Sequence, residues 1–407
     1  METKNNENSN SNEIKNDNIL SVNNSKNSVS TNGSSVKEKD IEHKKTFDKG
    51  KDEERRLKML ILIEERRKSK ELEIKKERDR IRKIELLVTT ITSNRNGLEN
   101  LGNTCYMNTC LQLLIHCTPF LLKLFKEGPK EKLSKEFYDL CNNQLNECST
   151  PKNLKILFGN KHRRFKGIYQ QDTQEFCRLF LEDISTEMNR VKIIPPYIEL
   201  DYSNKNKIEL NNEYDKIFRR REDSIIVDTF YSQIINIFQC KCGFESYSYE
   251  KILDIPLLFI GNGTQKVNNL LEKFFQSDII DWGVECKNCG KIEKHKKIVK
   301  IASPPEILIL SLQRYEPKTK KKNNCEVKFT EELDIKKYSD IDCCGEFSTK
   351  YHLIGIANHN GDLNFGHYFA FINIDKKWFE FNDNDSFPCE EFNKTSETAY
   401  ILFYERE

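Results

Sequence analysis

Along this chain the spacing of apolar residues changes twice. Over residues 1–50 apolar side chains are sparse among Asn, Ser, Lys and acidic residues. They are too few to offset the entropy of ordering, so this arm is predicted to be disordered. Residues 51–90 are almost free of helix breakers and carry opposite charges three and four positions apart, which predicts a solvated, charged helix. Its apolar positions keep no strict heptad, so it reads as a spacer, with a coiled coil as the weaker alternative. From residue 95 to residue 407 the pattern is that of a globular domain. Apolar residues at three and four spacing predict helices over 108–117, 119–128, 131–145 and 172–191. Asp172 stands at the N-cap of the last, with Glu175 three positions on as its capping-box partner. Runs of branched and aromatic residues then predict strands over 306–312, 351–358, 367–374, 377–382 and 399–405. Helices first and strands later predict an α+β fold with a cleft between the two groups.

Charge narrows the functional classes. The formal net charge is +2, so neither nucleic acid nor an anionic membrane is expected as a partner. The lysine cluster at 318–324 reads as a solvated loop. No run approaches the roughly 18–20 apolar residues of a membrane span, and the amino terminus is too polar for a secretory signal. The expectation is a soluble protein of the cytosol or nucleus. In a reducing compartment the fourteen cysteines point to metal binding, catalysis or burial rather than to disulfides.

Position separates these roles. Cys105 sits in "GLENLGNTCYMNTC", where a polar loop runs into a helix. Unpaired N–H groups and the helix dipole stabilise a thiolate there, although a cysteine entering a helix also serves as a small buried apolar residue. A thiol nucleophile needs a base and a group that orients the base. Of the seven histidines, His359 and His367 lie in suitable contexts. His367 starts one predicted strand and the next ends at Asn382 and Asp383, so an antiparallel pair brings the imidazole to an orienting Asn or Asp. The order Cys, His, Asn is also that of papain-like proteases. Separately, "CKCG" and "CKNCG" supply Cys240, Cys242, Cys286 and Cys289. Four thiolates suit a closed, structural zinc site clamping two hairpins, with the glycines turning backbone N–H groups toward sulfur. The first pair has one intervening residue in place of the usual two, and a metal-free cluster is the alternative.

The blocks "GLENLGNTCYMNTCLQLL", "YQQDTQEFCRLFLEDI", the paired cysteines, "PPEILILSLQRYE" and "GIANHNGDLNFGHYFAFINIDKKWFEFNDND" together resemble the catalytic domain of ubiquitin-specific proteases, in order, across residues 97–407. The resemblance implies a papain-like cysteine peptidase with a helical thumb, a β palm and zinc-tipped β fingers that hold ubiquitin. It implies Cys105 as nucleophile, His367 as general base, Asn382 as orienting residue and Asn100 as a donor to the oxyanion. Many members carry Asp where this chain has Asn382, and Asp383 is then expected to supply the charge. Gln171, Asp172, Glu175 and Gly366 are implied at the slot for ubiquitin's tail. The implied activity is thiol-dependent hydrolysis of the bond after ubiquitin's terminal glycine on ubiquitinated proteins, with no catalytic cofactor. The alternatives are an inactive ubiquitin-binding scaffold and a protease of a ubiquitin-like modifier. The amino-terminal arm is left to an unidentified partner.

Overall fold

The computed structural model describes residues 35–407 except 146–147, 203–204, 262, 317–320 and 363–364, and side chains from residue 53 onward. The chain divides into two units at Lys75 and Lys76. A helix α1 (Ser35–Thr92) begins well before the expected position. Residues 35–50 are therefore helical and not part of an unstructured arm, which corrects the boundary set at residue 51. Lys, Glu and Asp favour a helix without needing a core, so poverty in apolar residues excludes burial but not helicity. Residues 1–34 of the expected arm lie outside the described residues. In the first unit the apolar run Leu57 to Ile63 is exposed. No helix among the described residues is long and apolar enough to cross a membrane.

In the second unit a helical group comes first. It comprises α2 (Cys105–Ile115), α3 (Thr118–Glu127), α4 (Lys132–Asn143), α5 (Lys152–Lys161) and α6 (Thr173–Glu187), then α7 (Lys207–Arg219) and α8 (Ile225–Phe230). Every residue of α2 is buried, because the helix packs between the main sheet on one side and α6 on the other. Side chains such as Leu111 and Leu114, both fully buried, each contribute about 1.5–3 kcal/mol of burial. Gly355 on the facing strand makes room for this: a Cβ there would lie 2.4 Å from Leu113 Cδ2.

The strands that matter for the site are β1 (Ser232–Gln239), β2 (Glu245–Ile252), β3 (Ile255–Leu258), β4 (Lys296–Ser303), β5 (Ile307–Gln313), β6 (Lys350–Gly361), β7 (Gly366–Ile374), β8 (Lys377–Asn382), β9 (Asp385–Pro388) and β10 (Ala399–Arg406). The main sheet is ordered β9-β8-β7-β6-β10-β5-β3, and a second sheet is built on β2-β1-β4. The strand expectations in the carboxy-terminal half match β5, β6, β7, β8 and β10. Those of the second sheet were not foreseen, since β2 reads "ESYSYEKI" and is largely half-buried, with too little apolar contrast to signal a strand.

One buried cation ties the sheet to its loops. Arg314, just beyond β5, is 1% exposed. It donates to the carbonyls of Ala399 at 2.7 Å, Asn323 at 2.9 Å, Cys325 at 2.8 Å and Ser396 at 3.3 Å. Burial draws its guanidinium down to about 10, so it stays charged at neutral pH. Arg314→Met leaves those carbonyls without their donor. The expected loss is at least about 3 kcal/mol, read from denaturant unfolding.

Candidate active site

The loop before α2 is shaped by its own polar side chains. Gly102 and Asn103 both take left-handed conformations, with φ of 96° and 53°. Asn100 Oδ1 accepts from the N–H of Gly102 at 2.9 Å and of Thr104 at 3.2 Å, closing a turn that swings the chain into the helix. Thr104 lies at the N-cap but its side chain does not cap; its hydroxyl accepts from Leu101 N–H at 2.9 Å. Cys105 therefore opens α2 at an end whose first N–H groups have no side-chain acceptor, and its thiol is 4% exposed.

The sheet brings the partners. Register pairs Ala370 with Phe381, so Asn382 faces Phe369 and reaches His367 on the diagonal, two residues along the same face. His367 Nε2 meets Asn382 Oδ1 at 2.7 Å, which leaves Nδ1 for the thiol. The imidazole is pushed up to about 9, first by its hydrogen bond with Cys105 and then, against some desolvation, by Asn382 and the charge of Asp383. Of the two histidines singled out in the sequence, the structure brings His367 to the thiol. His359 is 8% exposed, and burial together with Lys322, His367 and Arg314 pulls it down to about 4. It stays neutral and stacks on Tyr368 at 4.3 Å.

Asp383 departs from the role expected of it. Its Oδ2 stands 4.0 Å from His367 Nε2 while accepting from Asn100 Nδ2 at 2.7 Å, and its Oδ1 accepts from Asn108 Nδ2 at 2.8 Å. Asp383 thus lends the imidazolium a field but no hydrogen bond, and its contacts go to the loop and to α2. Asn100 spends one of its two amide N–H groups on this carboxylate and keeps the other. Asn108 was missed in the sequence. Its position one turn after Cys105 in "CYMNTC" was the available signal. Gly97 presses this turn together: a Cβ there would lie 2.1 Å from the carbonyl oxygen of Asn384.

Around the groove the acidic residues are already engaged. Asp172 caps α6 through Oδ1, accepting from Gln174 N–H at 2.8 Å and Glu175 N–H at 2.9 Å. Its second oxygen, expected to be free, accepts from the Tyr400 hydroxyl. Glu175 does not complete a capping box; its carboxylate turns to Arg164 at 2.8 Å, because a nearby guanidinium outcompetes one backbone N–H. Gln171 exchanges two hydrogen bonds with Arg164, at 2.9 and 3.1 Å. Gln170, also missed, bridges from the helical group to the sheet. Its side-chain amide donates to Gly366 O at 2.8 Å and accepts from Gly366 N–H at 2.9 Å.

The four paired cysteines converge far along the chain from this groove. Cys240 and Cys242 lie in the β1–β2 turn, and Cys286 and Cys289 in the hairpin of Val284–Glu285 and Ile292–Glu293. Their sulfurs all lie within 4.8 Å of one another. Gly243 and Gly290 have φ of 87° and 65°, and each N–H closes its turn onto Cys240 O or Cys286 O at 2.9 Å. The Phe244 N–H pulls the Cys242 thiol down to about 6, while Glu293 accepts from Cys240 Sγ at 2.9 Å. This donor set can hold a metal ion.

A family model described as ubiquitin carboxyl-terminal hydrolase matches residues 96–404. The chain belongs to that family. Among curated hydrolases of the family, it is 31% identical over 331 residues to Usp2 of Drosophila melanogaster, covering 76% of this chain and 34% of the relative. It is 28% identical to ubiquitin carboxyl-terminal hydrolase 21 of Homo sapiens, covering 77% and 62%, and 28% identical to hydrolase 2 of Gallus gallus, covering 77% and 94%. The fold is that of the hydrolase in the SAGA Ubp8/Sgf11/Sus1/Sgf73 module bound to monoubiquitin. That match has a TM-score of 0.64 at 22% identity, over 78% of this chain and 70% of the other. The α+β fold of the family, with its helical thumb, β palm and β fingers, is therefore the fold of this chain.

The hydrogen bond with Cys105 heads the causes that raise His367, so Cys105→Ala should lower its titration midpoint from about 9 toward the ordinary imidazole value. NMR titration of the ring measures this. In the wild type the protonated imidazole persists below about pH 9 and is lost above it, so an activity that needs the thiolate–imidazolium pair falls on that alkaline limb.

Proposed function

We propose that this chain is a deubiquitinating cysteine protease that cleaves the isopeptide or peptide bond after the carboxy-terminal glycine of ubiquitin. The observation that carries the reading is the convergence of Cys105, His367 and Asn382 from two distant parts of a chain whose family is the ubiquitin carboxyl-terminal hydrolases. The ordered bonds favour a thiolate–imidazolium pair held by Asn382. The thiolate of Cys105 attacks the glycine carbonyl. Protonated His367 then gives its proton to the departing lysine amine, and a thioester remains on sulfur. Water, deprotonated by His367, hydrolyses that thioester and frees ubiquitin's carboxylate.

The developing oxyanion takes donors from the Cys105 backbone N–H and from the second amide N–H of Asn100, with Asp383 holding that amide in place. One such donor is worth on the order of 3 kcal/mol. Gln171, Asp172, Glu175 and Gly366 border the slot for the tail. The bonds already made by Asp172 and Glu175 mean that they act on the tail's arginine through their negative field, unless Tyr400 or Arg164 gives way. Relatives of this fold are solved with monoubiquitin and with ubiquitin aldehyde, which supports ubiquitin as the partner and ubiquitinated proteins as substrates.

Zinc is the metal proposed for the fingers. Tetrahedral Zn–S bonds of about 2.3 Å require sulfurs roughly 3.8 Å apart; Cys240–Cys289 and Cys242–Cys286 stand at 3.9 and 3.7 Å. The residues fit the group in spite of the short spacing of the first pair. With four thiolates it would be a closed site that fixes the two turns to each other.

A ubiquitin probe with a carboxy-terminal electrophile should label Cys105, and Cys105→Ala should not be labelled. Wild type that stays unlabelled under reducing conditions would return the chain to a binding scaffold, and labelling by a related modifier alone would reassign the substrate. Asn100→Ala should lower kcat by about 10²–10³. Elemental analysis should find about one zinc per chain, and chelation should lower the melting temperature; a fully stable, metal-free protein would refute the metal.

A further inference from the structure

Next to the loop that precedes Cys105 runs a cleft of about 620 Å3, walled by Glu99, Leu101, Thr150, Lys152, Lys155 and Lys166 among others. Three ammonium groups face one carboxylate there. No ion pair joins any of the three lysines to a carboxylate among the described residues; Lys155 gives an N–H to Gly167 O at 2.9 Å. Partial burial without a counter-charge draws the Lys155 ammonium below the usual lysine value. The cleft follows α5 from its start, where the N-cap is Pro151 and no side chain caps the helix. Uncapped N–H groups and the positive end of the dipole therefore add to the lysine charge.

The place of the cleft decides what it meets. Gly366 adjoins His367 on β7, and beyond His367 come Asn382 and Asp383. Asp383 O accepts from Leu98 N–H at 2.7 Å, and on the other side of the loop Ser149 O accepts from Glu99 N–H at 2.9 Å. The order is thus Gly366, His367, Asp383, the loop 97–101, Ser149, and then the cleft beside Thr150. A tail lying at Gly366 leaves the cleft on the opposite side of the scissile bond, where the protein that carries the modified lysine would sit.

We infer that this cleft binds an acidic peptide segment of the conjugated protein, close to the lysine that bears ubiquitin; the inference rests on the deubiquitinase reading above. A peptide fits better than a nucleic acid, because no aromatic ring lines the cleft for a base to stack on. Leu101 and Ile156 offer apolar surface between the charges. Carboxylates and phosphorylated side chains share the chemistry that the lysines read.

The full chain is given ubiquitin joined to a lysine peptide with acidic flanks, the same with basic flanks, and ubiquitin bearing only a small fluorophore. Wild type should prefer the acidic peptide in kcat/KM by roughly tenfold at low salt, and the preference should shrink as salt rises. Lys152→Glu with Lys166→Glu should abolish or invert it while the fluorophore substrate is cleaved as before. The corresponding double Arg variant should keep it. Equal cleavage of both peptides by wild type, or a preference that survives the double reversal, overturns the inference. Anisotropy of a free acidic peptide on Cys105→Ala protein, with phosphorylated and unphosphorylated forms compared, reads the cleft without turnover. Single-stranded RNA that displaces either form more tightly than the peptide binds would overturn the peptide assignment. Failure to cleave the fluorophore substrate would sink the deubiquitinase reading and leave the anisotropy to decide the cleft.

Discussion

The carboxylate of Asp383 is the point on which the groove depends. One oxygen holds Asn100 and the other Asn108, while its backbone carbonyl takes the N–H of Leu98. A single residue at the end of β8, itself in a left-handed conformation with φ of 49°, thereby joins the sheet, the loop and the helix that opens with Cys105. Charge-assisted bonds of this type are roughly twice as strong as neutral ones. The thiol comes from the helical group and the imidazole from the sheet, so their separation is set by how well those parts are fastened. Gly97 lets the fastening close, since any side chain there would collide with the Asn384 backbone.

Seen from this junction, the difference between Asn382 and Asp383 is one of distance. The neutral amide accepts from the imidazole at 2.7 Å; the charge stands at 4.0 Å. Orientation and charge, which a single aspartate could supply together, are here divided between neighbours. The carboxylate is not free to approach the ring because two carboxamides hold it. A base oriented by a neutral partner and polarised by a remote charge remains protonated into the alkaline range, as the upward shift of His367 reflects.

Much of this could be read in the sequence because the signals were local. The strands β6, β7, β8 and β10 alternate or run apolar over their lengths, and a two-strand register argument placed Asn382 beside His367 before any coordinates. The paired cysteines carried their turns with them as glycines. What escaped was long-range or compensatory. Nothing near Asp172 announces Tyr400, which lies on β10 and takes its second oxygen. Arg164 claims Glu175 from outside the helix that Glu175 begins. The strands of the fingers were invisible because half-exposed sheets tolerate Ser, Glu and Lys on both faces. The start of α1 was misplaced because low hydrophobicity was taken to exclude order, although it excludes only burial.

The contact between Gln170 and Gly366 has a further bearing. Beyond the end of β8, the first residues of β7 form a stretch of sheet margin, and bare margins invite unwanted strands from other molecules. A glutamine carboxamide has the donor and acceptor of a peptide group, so it serves as a one-unit stand-in for a neighbouring strand. An extended chain that docks there exchanges like for like, and the resting protein keeps its margin sealed against aggregation without walling it off.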